Sequence, residues 1–160
     1  MSAFEERPPY ESYAAIVAAF GGLLATAGFA GKALGRDPQC QSALDLVVLS
    51  AATFKVARTL ARDDVTSFLR RPFVQGEPPL VEDEEPIKNG GMEQAIGELV
   101  TCTRCVGTWA AAALASTQIL APRFGRLLAW SLGAAAANDF LQAGFAALAA
   151  KANELDSETS

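Results

Sequence analysis

The sequence predicts an all-α integral membrane bundle of about four helices, with a flexible acidic, proline-rich loop between the second and the third. Three observations predict it. Hydrophobic residues make up 51% of the 160 positions and charged residues 19%, a balance rich in apolar side chains and poor in charge. The charges are also uneven: acids gather in the first dozen residues, between Glu77 and Glu85, and after Glu154, leaving long intervals with almost none. One such interval, residues 12–31, has about the ~20 residues a helix needs to cross a hydrocarbon core of ~30 Å.

The totals also exclude several functions. A formal net charge of −5 argues against a nucleic-acid partner, because phosphate binding needs clustered Lys and Arg. Glu5, Glu6 and Glu11 precede the first apolar run where a secretory leader would carry basic residues, so no leader is expected. Three cysteines are an odd number without a dense pattern, which speaks against a framework of structural disulfides. The chain has no histidine. A histidine general base, a Ser-His or Cys-His pair and a His-containing zinc site are therefore excluded within it.

Residues 1–12 are a polar lead-in with Pro8 and Pro9, ending at Ser12 as a helix cap. The first helix is expected at residues 13–34, where Gly21, Gly22, Gly28 and Gly31 suit close packing in lipid better than a soluble helix interior. A turn at residues 35–38 and a polar connection holding Cys40 lead to a second helix at residues 42–62. Lys55, Arg58 and Arg62 fall at i, i+3 and i+7 on one face of it. They either snorkel to the membrane interface or form a binding face for headgroups or a partner's carboxylates. Residues 67–73, with Arg70 and Arg71 among aromatics, read as a basic stretch in the headgroup region. Residues 74–91 hold three prolines, four consecutive acids and Asn-Gly-Gly, and read as a mobile aqueous linker.

The third helix is expected at residues 92–121, stopped by Pro122, and the fourth at residues 127–150, before a polar tail at 151–160. Helices 13–150 form the membrane domain. Placing both termini and the linker inside puts eight basic residues inside (Arg7, Arg58, Arg62, Arg70, Arg71, Lys88, Arg104 and Lys151) against four outside. The bias favours a multi-pass cell-membrane protein, N-in and C-in.

Glu98, Cys102, Cys105 and Trp109 recur at helical spacing, so one face carries a carboxylate, two thiols and an indole. Trp109 sits just inside the membrane boundary, where its amphipathic ring is commonly used. A Cys-x-x-Cys pair can close a redox disulfide, supply half of a zinc site, or simply pack. Placed inside the third helix, with Glu98 opposing a thiolate and Arg104 favouring it, the pair is weak for redox work. Zinc would need thiolates from two copies of the chain, since Cys40 falls across the membrane. Asp139, near the middle of the fourth helix, lies about as deep as Lys55 in the second, so the two are expected to pair.

The run 52–73, with its Lys55, Arg58, Arg62, Arg70 and Arg71, and, after the acidic linker, the run 97–109 with Cys102, Cys105 and Trp109, resemble the DUF1360 family of small bacterial membrane proteins of unknown function. The likeness covers roughly residues 43–150 and implies a membrane location without supplying an activity. The chain departs from that pattern in carrying Thr103-Arg104 between the cysteines, where a proline is often found, and in an added glycine-rich helix at the front. The functional expectation is a non-enzymatic scaffold or accessory subunit of an envelope process, in contact with the bilayer and with other membrane subunits or further copies through Gly- and Ala-rich faces. The alternative is a thiol-based redox or metal-sensing membrane protein using Cys102 and Cys105. A soluble alanine-rich bundle is the third reading.

Overall fold

The computed structural model describes residues 8–36, 41–75 and 84–158. Six α-helices account for most of them: α1 (Tyr10–Ala33), α2 (Ala43–Arg62), the single turn α3 (Ser67–Arg70), α4 (Met92–Thr101), α5 (Thr103–Leu120) and α6 (Pro122–Glu158). Short 3₁₀ turns at Asp64–Thr66 and Arg71–Phe73 flank α3. The all-α expectation holds, with altered bounds. α1 begins at Tyr10 and not at the expected Ser12 cap. The third expected helix is two, broken at Cys102, and the fourth starts at Pro122 and runs to Glu158.

Local chemistry explains the ends. Gly35 takes φ +64 after α1, and Arg36 N–H returns to the Gly31 carbonyl at 3.0 Å, the left-handed termination that glycine permits. Ser42 caps α2 reciprocally with Asp45: each side chain accepts a backbone N–H of the other. Proline at the first position of α6 loses no helical hydrogen bond, so Pro122 stops one helix and opens the next. The corner is tight. A Cβ on Gly125 would sit 2.6 Å from the Gln118 backbone, which only glycine avoids.

Contacts between helices fix the directions of the four long rods. Gly107 of α5 meets Ala57 of α2 and Leu114 packs with Ala52, so these helices run antiparallel. Gly133 meets Val48 and Asp139 meets Lys55, so α6 runs parallel to α2. Phe20 meets Trp109 and Gly31 meets Ile119, so α1 runs parallel to α5. The result is an up-down-up-down arrangement in which the start of α1, the end of α2 and the start of α5 share one end of the bundle. The α3 and α4 segments cover that end.

The interior is built from small residues. Ala52, Ala129 and Ala136 are fully buried, and Ala57, Ala61, Ala95 and Ala110 nearly so, with Val106 and Leu114 as the larger members. The exterior is the reverse: Phe29 and Phe145 are each 75% exposed and Leu141 is 73% exposed. In α1 the buried residue is Gly31, against Ile119. By length and composition α1 is long and apolar enough to cross a membrane, and among the described residues no other helix meets the same measure. Gly21, Gly22 and Gly28, expected to pack closely, do not: a Cβ at any of them would meet nothing within 4 Å.

The acidic linker is partly organised. Val74–Gln75 (β1) pairs antiparallel with Glu85–Pro86 (β2), in the register Val74 to Pro86 and Gln75 to Glu85. Ile87 N–H donates to the Phe73 carbonyl at 3.1 Å, and Gly97 of α4 lies so close that a Cβ there would collide with that same oxygen. These ends are docked, which corrects the reading of residues 74–91 as wholly mobile. Cys40 and the acids at 82 and 83 lie outside the described residues.

Candidate functional site

At the end where α4 meets α5 the backbone turns at Cys102, whose φ −92 and ψ 103 are extended. The cysteine pair therefore does not lie inside one helix, which corrects the sequence reading. Cys102 is the N-cap of α5, and its Sγ accepts the Cys105 N–H at 3.3 Å. A sulfur replaces the usual Ser, Thr, Asp or Asn oxygen there. Burial pushes the Cys102 thiol up, but hydrogen bonds from the Cys105 thiol, from the Cys105 and Arg104 N–H groups, and the Arg104 charge outweigh it, leaving the thiol below its ordinary range. Cys102 is half-buried and Cys105 exposed, and both are free thiols.

The break also redirects the stripe expected from Glu98 to Trp109. Glu98, on α4, accepts the Tyr13 hydroxyl of α1 and the Gln94 amide at 2.9 Å, while Gln94 in turn accepts Gly90 N–H at 2.8 Å. Trp109, on α5, packs edge-on to Phe20 of α1 with ring centroids 5.1 Å apart. Glu98 and Trp109 thus fasten the first half of α1 to the rest, as Ile119 does at Gly31 near its end. Tyr13, Phe20 and Gln94 carried no signal in the sequence, because Tyr13 and Glu98 are 85 residues apart in the chain.

Lys55 Nζ lies 2.7 Å from Asp139 Oδ2, with the two side chains 24% and 38% exposed. The neighbouring rings of Phe54 and Phe140 stack at 5.3 Å. Arg70 behaves differently from the headgroup contact expected of it. It is 1% exposed, and its guanidinium forks onto Glu84 at 2.7 and 3.4 Å while Nη1 donates to the carbonyls of Leu60 and Asp63 and to Thr66 Oγ1. Arg70 closes the carbonyl end of α2 and fastens it to the linker. Arg71, next to it, is exposed.

Arg58 and Arg62 of α2 and Arg104 of α5 line one groove of about 490 Å³ between those helices, together with Phe54, Ala57 and Gly107. Among the described residues, no group of three or more His, Cys, Asp or Glu side chains is gathered to hold a metal.

A family model described as "Protein of unknown function (DUF1360)" matches residues 48–145. The chain belongs to the DUF1360 family. The DUF1360 segment runs from α2 into α6 and takes in Lys55, Arg58, Arg62, Arg70, Cys102, Cys105 and Asp139, while α1 precedes it. "Sporulation protein YjcA" of Bacillus subtilis (strain 168) is 33% identical to this DUF1360 chain over 90 residues, which is 53% of the chain and 76% of that relative. No solved structure matches.

Proposed function

We propose that this chain is a small multi-pass membrane protein of the bacterial envelope, with α1, α2, α5 and α6 crossing the bilayer, N-in and C-in, and that it serves as a non-enzymatic scaffold or accessory subunit. The observation that supports this is the inversion of side-chain size: alanine and glycine fill many of the helix contacts, while Phe, Leu and Val face outward along α1, α2 and α6. In water this arrangement wastes the hydrophobic effect, at ~25 cal/mol for each Å² of apolar surface left exposed. In lipid it is the expected one, because tails solvate large apolar groups and small residues let backbones approach. The sporulation role in the name of the Bacillus relative agrees with an envelope process. An alkaline carbonate wash of membranes should leave the chain in the pellet, and only detergent should extract it. Recovery in plain buffer would overturn the reading. For orientation, in a background with Cys40, Cys102 and Cys105 replaced by Ser, an impermeant thiol reagent applied to intact cells should label Arg36→Cys and not Lys151→Cys.

A second reading, thiol–disulfide exchange, is favoured by the place of Cys102 at the start of α5. The Cys102 thiolate would attack a disulfide of a partner protein, forming a mixed disulfide and releasing one partner thiolate. Cys105, deprotonated, would then attack Cys102 Sγ, leaving the Cys102–Cys105 disulfide in this chain and a dithiol in the partner, two electrons having passed to it. Because its thiol lies below the ordinary range, Cys102 should be alkylated with a pH midpoint lower than a free cysteine. Cys105→Ala should accumulate mixed disulfides in cells. Equal alkylation of the two thiols together with no trapped species would rule this chemistry out.

A further inference from the structure

The groove between α2 and α5 has an unusual charge state for a contact between helices. Ala57 and Gly107 are small enough to leave it open, and the antiparallel pairing brings the first turn of α5 beside the last two turns of α2. Arg58, Arg62 and Arg104 gather at that end. Several other basic residues of the bundle are compensated, Lys55 by Asp139, Arg70 by Glu84 and Arg126 by Asp45, whereas Lys32, Arg36, Arg71 and Arg123 stand outside the groove without a carboxylate within ion-pair distance among the described residues. Among the described residues no carboxylate pairs with any of the three groove arginines. Arg70 already occupies the carbonyl end of α2, so that helix end does not supply the missing negative charge. Toward the other end of the groove Phe54, whose ring stacks on Phe140, supplies an apolar wall beside Ser50 and Thr53.

We infer that this groove is a binding site for an anionic phospholipid, its phosphate held by Arg58, Arg62 and Arg104 and its first acyl carbons laid along Phe54 and Ala57. Guanidinium forks match phosphate oxygens, and three of them round one groove repel each other until an anion arrives. The apolar wall decides between the two sources of a phosphate group: a free ion gains nothing from Phe54, whereas an acyl chain does. The charged end is also at the right depth. Arg62 closes α2, seven residues or about 10 Å beyond Lys55, where headgroups lie when the apolar rods cross the bilayer. The inference rests on the membrane reading.

Native mass spectrometry of the full chain in mild detergent tests it, offering phosphatidylglycerol, phosphatidylcholine or inorganic phosphate. One phosphatidylglycerol should be retained at least about tenfold more tightly than phosphatidylcholine, and millimolar phosphate should not displace it. Arg58→Gln with Arg62→Gln, and separately Arg104→Gln, should each weaken retention by about tenfold or more. Arg71→Gln, an exposed cation outside the groove, should leave it unchanged. Circular dichroism checks that the variants keep their helices; should the glutamine variants unfold, Arg104→Lys, which keeps the charge and loses the fork, should still lower retention severalfold. Equal retention of phosphatidylcholine, equal loss in Arg71→Gln, or full displacement by inorganic phosphate would each overturn the lipid site. A chain that leaves the membrane without detergent would instead sink the membrane reading, a result distinct from any of these.

Discussion

Replacing Arg70 by Met removes a side chain that is 1% exposed and makes five hydrogen bonds. Met is close in volume and fills the space, so the change isolates the charge and its donors. Four groups lose a partner at once: the Glu84 carboxylate, the Leu60 and Asp63 carbonyls at the end of α2, and the Thr66 hydroxyl. Breaking a buried pair from one side costs about 3–5 kcal/mol, because the remaining charge is left uncompensated. Glu84→Gln should cost less, about 1–3 kcal/mol, since Arg70 keeps its carbonyl and Thr66 acceptors and the amide oxygen can still accept. The double variant should therefore lie below the sum of the two, with a coupling of roughly 1–3 kcal/mol. Urea titration in a mild detergent, followed by far-ultraviolet circular dichroism, measures all four corners of the cycle. An Arg70→Met midpoint within about 0.5 kcal/mol of the parent, the range of a bland surface change, would refute the argument that Arg70 closes α2.

Asp139→Ala or Lys55→Ala alone should each destabilise the bundle more than the double replacement does, because either one leaves a lone charge on an apolar rod; parity among the three in the same titration would show that the pair is not coupled. Gly97→Ala drives a Cβ into the Phe73 carbonyl, so it should lower the stability to unfolding by about 1–3 kcal/mol and loosen the β1–β2 ends toward proteolysis. Gly22→Ala meets nothing within 4 Å and should raise helicity, gaining up to about 1 kcal/mol from propensity alone. If Gly22→Ala instead disrupts the protein in membranes, a second copy packs on that face.

Much of this was written in the sequence in local form. The start of α2 at a Ser-x-x-Asp cap, its end at the Asp-Asp pair, the stop before Pro122 and the apolar runs are all set by neighbours within a turn or two. The pairing of Lys55 with Asp139 was reachable too, because a lone charge on an apolar rod has few places to go and equal depth names the partner. The α4–α5 break was not. Residues 92–121 hold no proline and no long polar run, so nothing nearby forbids a continuous helix, and the break follows from where α4 must lie against Phe73 and Pro86 while α5 packs on α2. That one turn changes the chemistry, since it moves Cys102 from a helix interior to a helix start.

What the sequence determined by itself is the kind of material: helices, their rough extents, an apolar surface and a family. Only the tertiary structure decided which charges are neutralised and which are left. Arg70 and Arg71 are adjacent and alike in sequence, yet one is buried on Glu84 and the other exposed, while Arg58, Arg62 and Arg104 are brought round one groove from helices more than forty residues apart. The physical reason is range. Hydrogen-bonded helices and their caps close over three or four residues, whereas a charge is compensated by whatever the packing of distant segments brings within a few ångströms.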